Sequence, residues 1–242
     1  MSKAEIGVVE LRQYTLHSGA RETLIDLFER EFVESQEACG MSVMGQFRDL
    51  DRPDRFVWLR GFPDTAARRD ALASFYGGPV WAAHREAANA TMIDFDDVLL
   101  LKPTHGKLEF DPSERAMSAA VRTPAGLLTA TIVPLVEGAE TEFAGLFDAG
   151  MRPRLEEAGA EVLLTFVTEK TATNFPRLPV REPASMFVWF AALGRGTRAG
   201  ATAGPQALGQ SADALMAGAP VELRLQPTAR SLLRGDGSTR RR

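Results

Sequence analysis

The sequence contains little cysteine and little histidine: one cysteine, Cys39, and three histidines in 242 residues. A single cysteine cannot form an intrachain disulfide, which fits a reducing compartment, and it cannot build a zinc site from thiolates. The histidines His17, His84 and His105 are widely separated and lack the spacing of a metal-binding motif such as HExxH. We therefore expect neither a disulfide framework nor a bound metal.

Long apolar segments and nucleotide-binding motifs are missing too, and clusters of basic residues are scarce. No segment approaches the roughly 20 apolar residues needed to cross a membrane, and the N-terminus lacks an apolar stretch of signal-peptide length. The net charge is −4, and the one basic cluster lies at residues 240–242. Neither a P-loop nor a GxGxxG or GxSxG motif is present. We predict a cytoplasmic protein with no membrane partner, no nucleic-acid partner and no cofactor, and the wealth of Ala, Arg and Gly suggests a bacterial origin.

An internal repeat is the clearest positive feature of the chain. In the first half, the pattern predicts a strand at 8–16, a helix at 21–38, a hairpin at 42–62, helices to about residue 90 and a strand at 98–101. The same order returns after residue 125, where Phe187-Val-Trp189 repeats Phe56-Val-Trp58. This βαββαβ order is that of a ferredoxin-like unit, whose open sheet face needs a cover.

We therefore predict an α+β fold in which two tandem ferredoxin-like βαββαβ units pack sheet to sheet as one α/β barrel. The predicted domains are residues 1–104 and 125–230, joined by a linker at 105–124 and followed by a disordered tail at 231–242. The two copies are not equivalent. The second hairpin carries an insertion at 170–183 that is rich in Pro and Arg, and the second copy lacks a counterpart of residues 76–84. This asymmetry predicts one functional site per chain, in the first copy.

Several long motifs resemble those of the NIPSNAP family, which belongs to the dimeric α/β-barrel superfamily. They are VELRQYTLHSG, FEREF, GQFRDLDRPDRFVWLRGFPD and FYGGPVW in the first half, and NFPRLPVRE in the insertion is similar to a segment of tandem bacterial members. The resemblance implies a fold that hosts cofactor-free monooxygenases, cyclases, lactone isomerases and haem-handling proteins. A homodimer is one assembly that it allows.

Strand alternation predicts a wall of polar and aromatic side chains in the first half. Three rows of residues each share one strand face: Glu10, Arg12 and Tyr14; Met44, Gln46 and Arg48; Phe56, Trp58 and Arg60. On one common side, their guanidinium groups would bind a carboxylate or enolate and their rings would stack on an aromatic ligand. We predict substrate-binding roles for Arg12, Gln46, Arg48, Trp58, Arg60, Tyr76 and Trp81. The alternative is that these side chains lie outside or pair with acidic residues.

The segment after Gly77-Gly78 supplies the candidate catalyst. Trp81, His84 and Arg85 have helical spacing and share a face. A neutral imidazole beside an aromatic wall is suited to act as a general base or as an axial haem ligand. The alternative is a structural histidine that is hydrogen-bonded to a carbonyl. We predict His84 and Tyr14 as the catalytic residues.

Three functions remain open from the sequence. The first is an enzyme acting on a small apolar or aromatic molecule, of the cofactor-independent monooxygenase or isomerase/cyclase type. The second is a non-catalytic ligand- or protein-binding module, in which residues 170–183 would be the contact element because long loops in compact folds are often functional. The third is a haem-binding protein that uses His84 or His17.

Overall fold

The computed structural model describes residues 3–115, 126–171, 174–178, 180–181, 184–194 and 210–235. The first half contains strands β1 (Ala4–Ile6), β2 (Val8–Leu16), β3 (Ser42–Asp49), β4 (Arg55–Phe62) and β5 (Met92–Pro103), with helices α1 (Arg21–Leu27), α2 (Val33–Ala38), α3 (Thr65–Tyr76) and α4 (Pro79–Asn89). The short strand β6 (Leu108–Phe110) follows. The second half contains β7 (Leu127–Pro134), β8 (Ala160–Thr168), β9 (Met186–Leu193) and β10 (Val221–Pro227), with α5 (Glu140–Leu146), α6 (Arg152–Glu157) and α7 (Gln210–Asp213).

Eight strands close into one antiparallel barrel in the order β10-β3-β4-β2-β5-β8-β9-β7. Within each half, the last barrel strand lies beside the first barrel strand: β5 beside β2, and β10 beside β7. This is the strand order of a ferredoxin-like unit. The two halves join where β5 pairs with β8 and where β10 pairs with β3. The predicted barrel of two ferredoxin-like units is confirmed. No helix in the described ranges is long and apolar enough to cross a membrane.

Local signals in the sequence explain where the helices begin and end. Asp64 caps α3, because its Oδ1 accepts a hydrogen bond from the Ala67 amide at 2.8 Å. Pro79 occupies the first turn of α4, where its missing N–H costs nothing. Gly40 and Gly159 follow the first long helix of each half and have φ values of +91° and +89°, which glycine adopts without strain. These predicted boundaries are confirmed.

A π-helical turn interrupts the first long helix of each half, at Phe28–Phe32 and at Phe147–Met151. Such a turn inserts one extra residue into an α-helix. Phe28 and Phe32, at the two ends of the first of these turns, are both buried under the helix. Helical periodicity alone predicts a continuous α-helix here and does not show this turn.

The apolar residues divide between the barrel interior and the space under the helices. Leu11 and Leu59 point into the barrel, where they meet Leu128 and Ala130 of the second half. The opposite strand faces pack against the helices of their own half. Tyr14 and Trp58 belong to this outer layer. The predicted wall therefore lies between sheet and helices, outside the barrel interior.

One strand does not alternate as predicted. Gln46 lies opposite Trp58 and Arg48 opposite Phe56, so both share the outer face, but the pairing shifts between Val43 and Gly45. This β-bulge turns Met44 into the barrel interior. The prediction that Met44 shares a face with Gln46 is therefore wrong.

Two stretches that the sequence predicts to be irregular are packed. Residues 108–110 of the predicted linker form β6, which pairs with β1. Ser231, Leu232 and Leu233 of the predicted tail are buried, and the Leu233 amide donates to the Met44 carbonyl at 3.0 Å. These two leucines belong to the core of the barrel, so this part of the predicted tail is packed. Residues 116–124 and 236–242 lie outside the described residues.

Candidate functional site

A pocket lies between the first-half sheet and its helices. It encloses about 350 Å³ of atom-free space, which includes open solvent at its mouth. Its lining is mostly aromatic and apolar, and it draws on the π-helical turn, on β2, β4 and β5, and on α1 to α4. The lining residues are Tyr14, Leu24, Phe28, Phe32, Gln36, Trp58, Phe75, Tyr76, Trp81, Ala88 and Met92.

A fully buried ionic cluster lies beside this pocket. The Glu10 carboxylate accepts from Arg12 Nη1 at 2.6 Å, from Arg60 Nε at 2.8 Å and from Arg68 Nε at 2.6 Å. None of the four residues is exposed to solvent. One carboxylate faces three guanidinium groups, so the cluster carries an excess of two positive charges. Buried charge is costly unless it is compensated, so this excess favours binding of an anion.

The ionisation of the cluster follows from its surroundings. Burial acts to raise the pKa of Glu10, but Arg60, Arg12 and Arg68 outweigh it and hold this pKa well below its ordinary value. Burial acts to lower the pKa of Arg12, but Tyr14 and Glu10 raise it further than burial lowers it. Both groups are therefore charged at neutral pH.

Two of the arginines contact the pocket lining. Arg12 Nε donates to the Tyr14 hydroxyl at 2.8 Å, and Arg60 Nη1 donates to Gln36 Oε1 at 3.0 Å. The guanidinium carbons of Arg12 and Arg60 lie 5.7 and 5.1 Å from the Trp58 ring centroid. The positive charge of both arginines therefore lies close against an aromatic side chain that lines the pocket.

The Tyr14 hydroxyl is set up as a hydrogen-bond donor. Burial raises its pKa, with Arg12 opposing this rise, so the phenol stays protonated at neutral pH. Since its oxygen already accepts from Arg12, its own proton is available to an oxygen atom in the pocket. A protonated phenol in this position can donate a hydrogen bond, and it lacks the free proton-accepting state of a general base.

Three neighbouring residues on the same outer face carry buried polar atoms without hydrogen-bond partners among the described residues. They are Arg12 Nη2, Trp58 Nε1 and both amide atoms of Gln46. Arg12 lies opposite Trp58, and Trp58 lies opposite Gln46, so the three form one row across β2, β4 and β3. Buried donors in folded proteins almost always have acceptors. Oxygen atoms of a ligand or of water would accept from Arg12 Nη2, Trp58 Nε1 and Gln46 Nε2, and a hydroxyl group or water would donate to Gln46 Oε1.

The remaining predicted site residues fall into two groups. Tyr76 and Trp81 line the pocket with Tyr14 and Trp58. Arg48 does not, because its Nε donates to Glu22 Oε1 at 2.8 Å near the protein surface. Arg48 therefore pairs with an acidic neighbour, as the alternative interpretation of the sequence allowed.

His84 lies just outside the lining. Its neighbours on the helix face, Trp81 and Ala88, line the pocket, but the His84 side chain is 32% exposed and its Nε2 lies 3.4 Å from Glu31 Oε2. The structure therefore does not bring His84 to Tyr14. His17 is exposed at the end of β2, so the two histidines predicted for haem both lie outside the pocket lining. Within the part of the chain that is described, no cluster of His, Cys, Asp or Glu could hold a metal ion.

Sequence reasoning missed two contributors from the helices of the first half. Arg68 shares the buried face of α3 with Ala71, Leu72 and Phe75. A charged residue on an apolar helix face is a signal that could have found it. Gln36, at the end of the interrupted helix, gives no comparable signal in the sequence.

At the corresponding strand positions that the structure describes, the second half lacks the charged residues of this cluster. Thr131 lies opposite Trp189 as Arg12 lies opposite Trp58, and Thr129 lies opposite Ala191 as Glu10 lies opposite Arg60. Threonine and alanine replace the ionic residues at these positions. The excess positive charge therefore belongs to the first half.

Comparison with known proteins places this site in a known domain. The NIPSNAP family model matches residues 9–106, which contain Glu10, Arg12, Arg60 and Arg68. Residues 9–106 therefore match the NIPSNAP family, and the resemblance noted in the sequence is confirmed over that range. No curated protein matches the chain.

Solved structures share the fold over nearly the whole chain. A "putative monooxygenase" from Lactobacillus acidophilus NCFM has a TM-score of 0.57 and 12% identity, covering 93% of this chain and 95% of its own. Another "putative monooxygenase", from Fusobacterium nucleatum, has a TM-score of 0.55 and 8% identity, covering 92% and 93%. An anthrone oxidase-like protein has a TM-score of 0.53 and 12% identity, covering 94% and 95%. At these identities the likeness defines the fold.

Proposed function

We propose that the first-half pocket binds a small planar aromatic molecule as its anion, in the form of a phenolate, an enolate or a carboxylate. The observation that carries this proposal is the buried excess of positive charge directly behind an aromatic pocket. A monoanion would offset one of the two excess positive charges in a low-dielectric site, where such interactions are strongest. A neutral apolar ligand would not.

The polar atoms around the pocket suit such an anion. Its oxygen would accept from the Tyr14 hydroxyl and from Arg12 Nη2, and a second oxygen would accept from Trp58 Nε1. Hydrogen bonds that join a charged group to an oppositely charged or polar partner are stronger than neutral ones. The rings of Trp58, Tyr76 and Trp81 would stack on the aromatic body of the ligand.

We further propose that this binding drives a reaction without a cofactor. A site that stabilises an enolate lowers the pKa of the parent ketone or phenol, and the electron-rich anion reacts with dioxygen. For an anthrone-type methylene, CH₂ plus O₂ gives C=O plus H₂O, with the carbonyl oxygen drawn from O₂. The names of the fold relatives suggest this reaction, and the buried charge supports the anion that it requires. In this proposal Arg12 and Arg60 stabilise charge and Tyr14 donates a hydrogen bond. Gln46, Trp58, Tyr76 and Trp81 hold the ligand.

The binding proposal is tested with para-nitrophenol, whose phenolate is yellow and which titrates near neutrality. We expect the bound probe to ionise at a lower pH than the free probe. Tyr14→Phe should weaken phenolate binding roughly ten- to hundredfold, because one hydrogen bond to a charged group is lost. The matched control is Arg48→Gln, outside the pocket, which should leave binding unchanged. A bound probe that ionises at the same pH as the free probe would refute the anion site.

One observation favours a purely binding role: among the described lining residues there is no carboxylate and no imidazole. Turnover decides between this role and catalysis. The protein is incubated with anthrone and with dihydroxynaphthalene in air and without oxygen. Oxygen-dependent product formation that is lost in Tyr14→Phe supports the enzyme. Tight binding of probes without product formation for any substrate supports the binding module.

A further inference from the structure

The insertion in the second-half hairpin folds back onto the first-half pocket. Residues 169–185 connect β8 to β9, whereas residues 50–54 make the corresponding connection from β3 to β4. Thr168 holds the base of the insertion, since its Oγ1 donates to the Ala184 carbonyl at 2.7 Å and accepts from the Met186 amide at 2.9 Å. The chain therefore leaves and re-enters the barrel at one point, and its middle part reaches across to the other half.

Phe175 is the aromatic contact that the insertion makes. It is 8% exposed and belongs to the apolar cluster under the first-half helices. Its ring stacks on Tyr76, with centroids 6.2 Å apart and planes inclined by 30°. Tyr76 lines the pocket, and its ring centroid lies 4.9 Å from that of Trp81. Phe175 thus supports the wall of the pocket from behind.

Asn174 is the polar contact. Its Nδ2 donates to the Thr65 carbonyl in the first turn of α3 at 2.7 Å, and its Oδ1 accepts from Arg68 Nη1 at 3.4 Å. Arg68 in turn donates to Glu10. A neutral amide can hold this guanidinium in place without cancelling its charge, which a carboxylate at the same position would do.

We infer that residues 174–178, contributed by the second half, are a specificity-determining part of the first-half site. Phe175 fixes the Tyr76 wall and so limits the size of the aromatic ring system that the pocket accepts. Asn174 positions Arg68 and preserves the positive excess that selects an anion. This inference rests on the proposed function. The second half lacks the charged residues of the cluster at its corresponding described strand positions, and it completes the site of the first.

The aromatic part is tested by Phe175→Ala, with Phe175→Tyr as the conservative variant. Phe175→Ala removes the stacked ring that holds Tyr76 in the pocket wall. Para-nitrophenolate binding should therefore weaken roughly threefold to tenfold. The larger anion hydroxynaphthoate should lose less affinity or gain it, because the released Tyr76 leaves more room. Phe175→Tyr keeps the ring and should restore the wild-type ratio of the two affinities. Equal losses for both anions, or no rescue by tyrosine, would overturn the role in specificity.

The charged part is tested by Asn174→Asp. The new carboxylate would pair with Arg68 and reduce the excess charge from two to one, so phenolate binding should fall on the order of tenfold. The neutral form of the probe should bind as before. Asn89→Asp, at the exposed end of α4, changes the net charge equally and is the matched control. Equal effects of the two substitutions would overturn the positioning role of Asn174.

A readout without any ligand separates this inference from the proposed function. Trp58 and Trp81 lie in the pocket wall. Their indole rings should be more accessible in Phe175→Ala, so acrylamide should quench tryptophan fluorescence more strongly in this variant than in the wild type or in Phe175→Tyr. If the wild type binds no anion but this change occurs, the proposed function fails and the structural role of Phe175 stands. Unchanged quenching in a folded Phe175→Ala variant overturns the inference itself.

Discussion

Replacing Glu10 by glutamine tests the buried ionic cluster most directly. Oε2 of Glu10 accepts from Arg12 and Arg60, and Oε1 accepts from Arg68. An amide can keep only one acceptor oxygen, so its NH₂ group must face at least one guanidinium. All three guanidinium groups would also lose their counter-charge in a region without solvent contact.

Removing one partner of a buried ion pair costs about 3–5 kcal/mol. We therefore expect Glu10→Gln to lower the free energy of unfolding by that amount in urea or guanidinium denaturation. Glu22→Gln is the matched control. Glu22 pairs with Arg48, but its side chain is 56% exposed, so the change should cost less than about 1 kcal/mol. Equal and small losses for both variants would refute a buried, ionised cluster.

The stability difference between the wild type and Glu10→Gln should depend on pH. The pKa of Glu10 is lowered in the folded protein, whereas an unfolded glutamate titrates near its ordinary value of about 4.3. A group with a depressed folded pKa stabilises the fold above its unfolded pKa, and this contribution is lost as the pH falls below it. The stability difference between wild type and Glu10→Gln should therefore be largest at neutral pH and shrink below about pH 4. A difference that stays constant down to pH 3 would show that Glu10 is not the group that titrates.

Two further substitutions test the placement of single residues. His84→Ala should leave the affinity for para-nitrophenol within about twofold of the wild type at each pH, because the imidazole contacts Glu31 outside the pocket lining. A larger loss of affinity would place His84 in the pocket. Gly45→Ala should lower the free energy of unfolding by about 1–3 kcal/mol in urea denaturation, because its new Cβ would collide with the buried Phe47 ring. Wild-type stability of this variant would contradict the close packing at the bulge.

The sequence also predicted which strand face several residues share, for a physical reason. In a strand, every second side chain points to the same side, so Arg12, Tyr14, Trp58 and Arg60 could be placed on common faces from their spacing. The same rule failed at Met44, because a β-bulge inserts a residue and reverses the alternation after Val43. Bulges depend on the neighbouring strand and leave little trace in a single sequence.

The sequence by itself determined the order of strands and helices, the repeat of the βαββαβ unit and the positions where helices start and stop. These features depend on residues close together in the chain, such as Asp64 at a helix start or Gly40 at a helix end. Tertiary structure decided which groups meet. Arg68 and Glu10 are 58 positions apart, and Asn174 and Arg68 are 106 positions apart. Packing of α3 on the first-half sheet and return of the insertion bring them into one cluster, because distances between residues on separate elements are set by packing and not by spacing along the chain.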